Sequence, residues 1–164
     1  MDDERPLGEA RAYLRRGVED GVRCPCCTQL VKVYRRKLNS GMAVSLIRMY
    51  RAAGTDWVHL PTQVGARSRE EGKLRYWGLV EEKNAVRDDG GHAGWWRLTD
   101  AGRSFVLGES RVPRYARVFD GVCRGLRGEL VSISDCLGDK FDYAELMAGQ
   151  ATASADSRVM AAHA

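Results

Sequence analysis

The chain has 164 residues, 44% of them hydrophobic and 29% charged, the balance expected of a soluble globular protein rather than of a disordered or membrane one. No stretch approaches the roughly 18 consecutive apolar residues that span a bilayer, and the acidic, polar start MDDERPLGEA is unlike the basic and then apolar start of a signal peptide, so a cytoplasmic protein without a membrane partner is expected. The net charge of +4 is concentrated: residues 11–53 hold ten Lys or Arg against Glu19 and Asp20, a local excess of +8, the footprint of a surface that faces phosphate.

From Pro6 to Gly17, apolar Leu7, Ala10, Leu14 and Val18 recur at three- and four-residue intervals, which predicts an amphipathic helix with proline in its first turn. VRCPCCT at 22–28 reads as a cysteine-rich turn, and LVKVYRRKL after it as an extended basic segment. A second helix starts at Asn39 or Ser40, both good N-caps, and places Ala43, Leu46, Ile47, Tyr50 and Ala53 on a core-facing side before Gly54 stops it. WVHL at 57–60 predicts a short strand, and a helical pattern from about Arg67 to Trp77, with Leu74 and Trp77 inward, ends at Gly78. Leu79 and Val80 open a strand that returns through the glycine-rich tip NAVRDDGGHAG as WWRLT, and Thr99 then caps a helix that Gly108 ends. Beyond Arg111, YARVF and VCRGL flank Asp120-Gly121 as a hairpin, ELVSI reads as a further strand, Ser134 or Asp135 as the cap of a short turn, and Asp142 to Glu145 has capping-box spacing.

Helix, short strand, helix, two-stranded wing and closing helix, in that order, is a winged helix-turn-helix arrangement. The run KLRYWGLVEE, then a glycine-rich tip, then WWRLTDAG resembles MarR-like bacterial winged-helix regulators through Leu74, Gly78, Leu79, Val80, Leu98, Thr99 and Gly102. The whole chain is also similar to small proteins of phages and bacterial mobile elements that pair a CPxC turn with such a wing, a likeness that implies no particular activity. Between Thr62 and Gly78 there is room for one good helix where a typical regulator fits two, so the first helix of the motif is reduced to a turn.

The expected fold is therefore α+β: residues 1–38 as N-terminal helix, CPCC turn and basic arm, 39–108 as the winged helix, 109–148 as a small β-rich appendage, and 149–164 as a disordered tail. The resemblance implies a double-stranded DNA-binding protein, a transcriptional regulator or mobile-element factor, with a homodimer supplying two half-sites. On the helix that starts near residue 67, Arg67, Arg69, Lys73 and Tyr76 are the expected DNA contacts, the last three on one face as base and phosphate readers, and Arg87 in the wing together with Arg35, Arg36 and Lys37 in the arm add phosphate contacts. Glu70, Glu71, Asp88 and Asp89 oppose that role, which leaves open a protein-interaction module binding a host or phage partner. The appendage is slightly acidic and suits packing better than phosphate contact.

With five cysteines, an odd number, and a reducing compartment, a disulfide framework is not expected. Cys24 and Cys27 around Pro25 form half of a zinc-ribbon site, so the cofactor reading is either no metal, with small free thiols, or one structural zinc. No GxxxxGK[ST], HExxH or GxGxxG occurs, His59 lies near a proline, His92 in the wing and His163 in the tail, and no serine or cysteine has a recognisable activating neighbourhood, so the chain is not expected to be an enzyme.

Overall fold

The computed structural model describes residues 4–65, 70–83, 88 and 94–149. They form an α+β protein with three antiparallel sheets and one continuous apolar core that runs from Leu38 to Leu146, to which the small sheet of residues 22–31 contributes no residue. Among these residues no helix is long and apolar enough to cross a membrane. The tail from residue 150, expected to be disordered, lies outside the described residues.

Helix α1 (Leu7–Gly17) leads into a two-stranded ribbon of β1 (Val22–Arg23) and β2 (Leu30–Val31), with the CPCC turn at its tip. Strand β3 (Tyr34–Lys37) follows, and then α2 (Ser40–Ala53), the hub of the molecule. Asn39 caps α2 by accepting the Met42 N–H at 3.0 Å, and Gly54 ends it at positive φ with its own N–H on the Tyr50 carbonyl. Helix α2 is buried along most of its length, because elements pack against it from several sides.

After α2 come β4 (Val58–His59), a π-helical turn at Leu60–Val64, and a 3-10 helix at Glu71–Trp77. Strands β5 (Val80–Glu82) and β6 (Trp95–Leu98) pair as a hairpin, with β4 on the free edge of β6, so the sheet order is β4-β6-β5. Helix α3 (Asp100–Val106) closes this unit. The α-helix expected from residue 67 differs from what forms: residues 66–69 lie outside the described residues, and the rest has three residues per turn. That period puts Glu71, Leu74 and Trp77 in one buried row. Gly72 weakens any α-helical preference and leaves space for the Trp96 ring.

The run Leu98-Thr99-Asp100-Ala101-Gly102 is a packing device. The Thr99 hydroxyl donates to the Gly78 carbonyl at 2.6 Å and accepts the Gly102 N–H at 3.0 Å, while the Thr99 N–H donates to the Leu79 carbonyl at 3.1 Å. Gly102 rests directly on that carbonyl, since a Cβ built there would stand 2.0 Å from the Leu79 oxygen. The motif residues Gly78, Leu79, Thr99 and Gly102 thus clamp the hairpin to α3.

The last segment forms β7 (Val112–Phe119), β8 (Val122–Val131), α4 (Ile133–Leu137) and α5 (Tyr143–Ala148). Asp120 and Gly121, both at positive φ, make the tight turn between β7 and β8. VCRGL and ELV are one strand rather than two, because the register with β7 slips around Gly125 and Gly128, which take up the extra residues at positive φ as bulges. Ser132, rather than Ser134 or Asp135, caps α4, and Asp135 completes a capping box with it. Asp142 caps α5 as its spacing suggested.

The third strand of this sheet is β3, paired with β7 in the order β3-β7-β8. The basic arm and the appendage, separate in sequence, are therefore one sheet. Trp77 fastens it to the centre through a 2.7 Å bond from its indole N–H to the Pro113 carbonyl.

Candidate nucleic-acid interface

Strand β3 lies at a sheet edge, and all four of its side chains are exposed. Its register with β7 sets Arg35 beside Arg117 and Lys37 beside Tyr115 on one face, and Tyr34 beside Val118 and Arg36 beside Ala116 on the other. The first of these is the outer face, since Val118 and Ala116 are buried. Strand β8 adds Arg127 opposite Tyr115.

The outer face is built around an aromatic platform. The Arg35 guanidinium stacks on the Tyr115 ring at 3.6 Å from its centroid, and the ring lies against Gly128, where a Cβ would meet it at 2.9 Å. Arg35, Arg117 and Arg127, with Val33 and Glu19, line a shallow depression of about 280 Å³. Glu19 is the one carboxylate in that lining; it pairs with Arg117 and lies 3.8 Å from Arg124. A single acid shared between two arginines does not neutralise the face. Among the described residues no ion pair engages Arg35, Arg36 or Lys37. On the opposite side of the edge, Lys32 and Arg36 stand over the Tyr34 ring at 5.1 and 5.2 Å.

The helix-and-wing surface is arranged differently. Arg67, Arg69 and Arg87 lie outside the described residues. Lys73 is ion-paired with Glu70, and its side chain is only 26% exposed. Tyr76 packs against the core, with Arg75 over its ring at 5.2 Å. The 3-10 helix that carries both residues lies against β7 and β8 of the C-terminal hairpin. Glu71 is buried and accepts a bond from the Ser45 hydroxyl at 3.2 Å. Of the predicted DNA-contacting residues, the structure brings Arg35 and Lys37 together on an open cationic face, leaves Arg36 on the other side of the same edge, and turns Tyr76 inward.

Sequence reasoning missed Tyr115, Arg117, Arg124 and Arg127, because the net charge of residues 109–148 hides how the charges segregate. The acids of that segment gather largely at turns and caps, whereas these arginines lie along β7 and β8. A usable signal was the alternation of Tyr115 and Arg117 with apolar Ala116 and Val118.

At the ribbon tip, the Cys24 N–H donates to the Gln29 carbonyl at 2.8 Å and the Thr28 N–H to the Cys24 carbonyl at 2.9 Å, with Thr28 at a positive φ of 63°. The backbone N–H groups of Cys27 and then Cys26 point at the Cys24 sulfur and hold its pKa below the ordinary thiol value. Partial desolvation, with the charge of Cys24 next to it, pushes Cys26 up. Cys136 is buried in α4, which raises its pKa to about 11, and Cys123 lies in β8 near the Gly125 carbonyl. His59 bonds to the Thr62 hydroxyl at 2.7 Å and its ring lies 5.3 Å from that of Trp95. Among the described residues no three His, Cys, Asp or Glu side chains converge as a metal-binding group.

Comparison with known proteins gives no match to a protein-family model, a curated protein or a solved structure.

Proposed function

We propose that the protein binds double-stranded DNA, with a winged-helix core as scaffold and the outer face of the β3-β7-β8 sheet as its main phosphate-contacting surface. The observation that carries this reading is the concentration of Arg35, Lys37, Arg117, Arg124 and Arg127 on that face, with Glu19 as the acid paired into it. Cations held on a rigid sheet contact phosphate without reorganising, and such contacts fix the position of a protein on a duplex while carrying no base information of their own. The order β4-β6-β5, with α2 before it and α3 after, supports the winged-helix scaffold. Regulation of transcription, on a phage or mobile element, would follow only if the helix-and-wing side adds base contacts.

Binding of a labelled random-sequence duplex, followed by fluorescence anisotropy across a salt series, tests the proposal. Roughly three to five phosphate contacts predict a slope of log Kobs on log salt of about −3 to −4.5. A slope near zero, or no binding at low salt, overturns it. The second reading, a protein-interaction module, is favoured by the exposed Val122 and Leu130 on the same hairpin, and it predicts that second outcome.

A further inference from the structure

Helix α1 and its C-cap carry an apolar stripe of Ala10, Leu14 and Val18, whose four-residue spacing puts all three on one face. Ala10 and Val18 are buried, at 2% and 4% exposure, but Leu14 between them is only half-buried. The protein thus covers both ends of the stripe and leaves its middle open. The opening is a crevice of about 360 Å³ between α1, β2 and the tip of the β7-β8 hairpin, outside the continuous core, with Leu14, Val18, Val31 and Phe119 as its walls. Ligand pockets are of this kind, mostly apolar with a few polar groups that fix orientation, and run from about 300 to 1,000 Å³.

Two guanidiniums complete the lining. Arg15 and Arg124 are both exposed, which puts them at the mouth of the crevice rather than on its floor. Arg124 stands over the Phe119 ring at 6.0 Å from its centroid, and the acid nearest it, Glu19 at 3.8 Å, is shared with Arg117. The mouth therefore holds more positive than negative charge, above walls whose side chains offer neither donor nor acceptor. A compact dianion would lose its hydration against those walls without replacement, and a neutral apolar molecule would gain nothing from the arginines. The lining fits a single negative charge on an apolar body. A carboxylate supplies that charge in the planar form a guanidinium meets with two parallel N–H bonds.

We infer that this crevice binds a small organic carboxylate, with its apolar body between Leu14 and Phe119 and its charge at Arg15 and Arg124. The body is an aromatic ring system or a medium-length acyl chain, two sources of the same chemistry. The inference stands apart from DNA binding, and its test contains no duplex.

Isothermal titration of the full chain with 2-naphthoate and with octanoate separates the two sources, and the methyl resonances of Leu14, Val18 and Val31 report the place. The better of the two acids should bind with a Kd of about 0.1–1 mM, the range for a ligand of about a dozen non-hydrogen atoms, and should shift those methyl groups. 2-Naphthol and octanol, which keep the body and lose the charge, should bind at least about tenfold more weakly. Arg15→Gln and Arg124→Gln, both at exposed positions that tolerate exchange, should each weaken the acid several-fold, and Leu14→Trp, which fills the crevice, should abolish binding. Arg127→Gln, on the neighbouring cationic depression, should leave the Kd unchanged, which separates the crevice from adventitious binding to the sheet. Equal affinities for acid and alcohol, binding lost in Arg127→Gln but kept in both Arg15→Gln and Arg124→Gln, or no binding of either acid at millimolar concentration would each overturn the inference.

Discussion

Gly102→Ala puts the packing of the hairpin on α3 to a sharp test, because two effects of opposite sign compete there. Helix propensity alone favours alanine over glycine in a helix by about 1 kcal/mol. A Cβ at this position, however, would stand 2.0 Å from the Leu79 carbonyl oxygen, where real Cβ atoms essentially never come closer than 3.0 Å, so α3 and the start of β5 must part by about 1 Å. The obstacle is backbone and cannot rotate away, and the same carbonyl accepts the Thr99 N–H at 3.1 Å, so the separation also stretches that bond. Overpacking of this kind costs roughly 1–3 kcal/mol, with a rigid backbone neighbour at the upper end. After the propensity gain a net loss of about 2 kcal/mol remains, which for a chain of this size lowers Tm by about 6 °C. Thermal unfolding followed by circular dichroism measures it. Gly8→Ala in α1, where a Cβ meets nothing within 4 Å, is the internal control and should be neutral or slightly stabilising. Should Gly102→Ala raise Tm as Gly8→Ala does, the close approach is not real and the reasoning fails.

Thr99→Val keeps the shape of the side chain but removes the α3 cap and the bond to Gly78, so chemical denaturation should show a loss of about 1–2 kcal/mol with the m-value unchanged. Cys136, raised to about 11 by burial, should resist a thiol reagent at pH 8 while Cys27 reacts at once. Its neutral form is the one the fold stabilises, so that contribution is complete below the unfolded value of 9.0 and is lost as pH rises through about 11; comparison of unfolding midpoints for the wild type and Cys136→Ala across pH 8 to 11 should show the steeper fall in the wild type. Tyr115→Ala removes the platform under Arg35 and should weaken duplex binding several-fold, with little change in the salt slope, because no charge is lost.

Local signals in the sequence carried much of the fold. Asn39, Thr99 and Asp142 announce their helices because a side-chain oxygen next to an apolar period has one good use, and Asp120-Gly121 specifies its turn through positive φ at both residues. Two features were not legible. The 3-10 period of Glu71–Trp77 depends on Trp96 filling the space at Gly72 and on Ser45 meeting Glu71, contacts set by tertiary packing rather than by the segment itself. The pairing of Tyr34–Lys37 with Tyr115–Val118 joins residues about half the chain apart, and no local pattern reports such a partner. The candidate site suffered most from that gap. Arg35 and Lys37 were visible as charge, but the arginines that complete the surface became its neighbours only through this long-range register.

The central claim is that phosphate is met on the sheet and not along the 3-10 helix, and removing or reversing single charges measures this most directly. Duplex affinity at fixed salt should fall at least tenfold for Arg127→Glu and for Arg35→Glu, and change less than twofold for Lys73→Ala, which is already paired with Glu70. Equal affinities for the wild type and both sheet variants, or a large loss confined to Lys73→Ala, would contradict it.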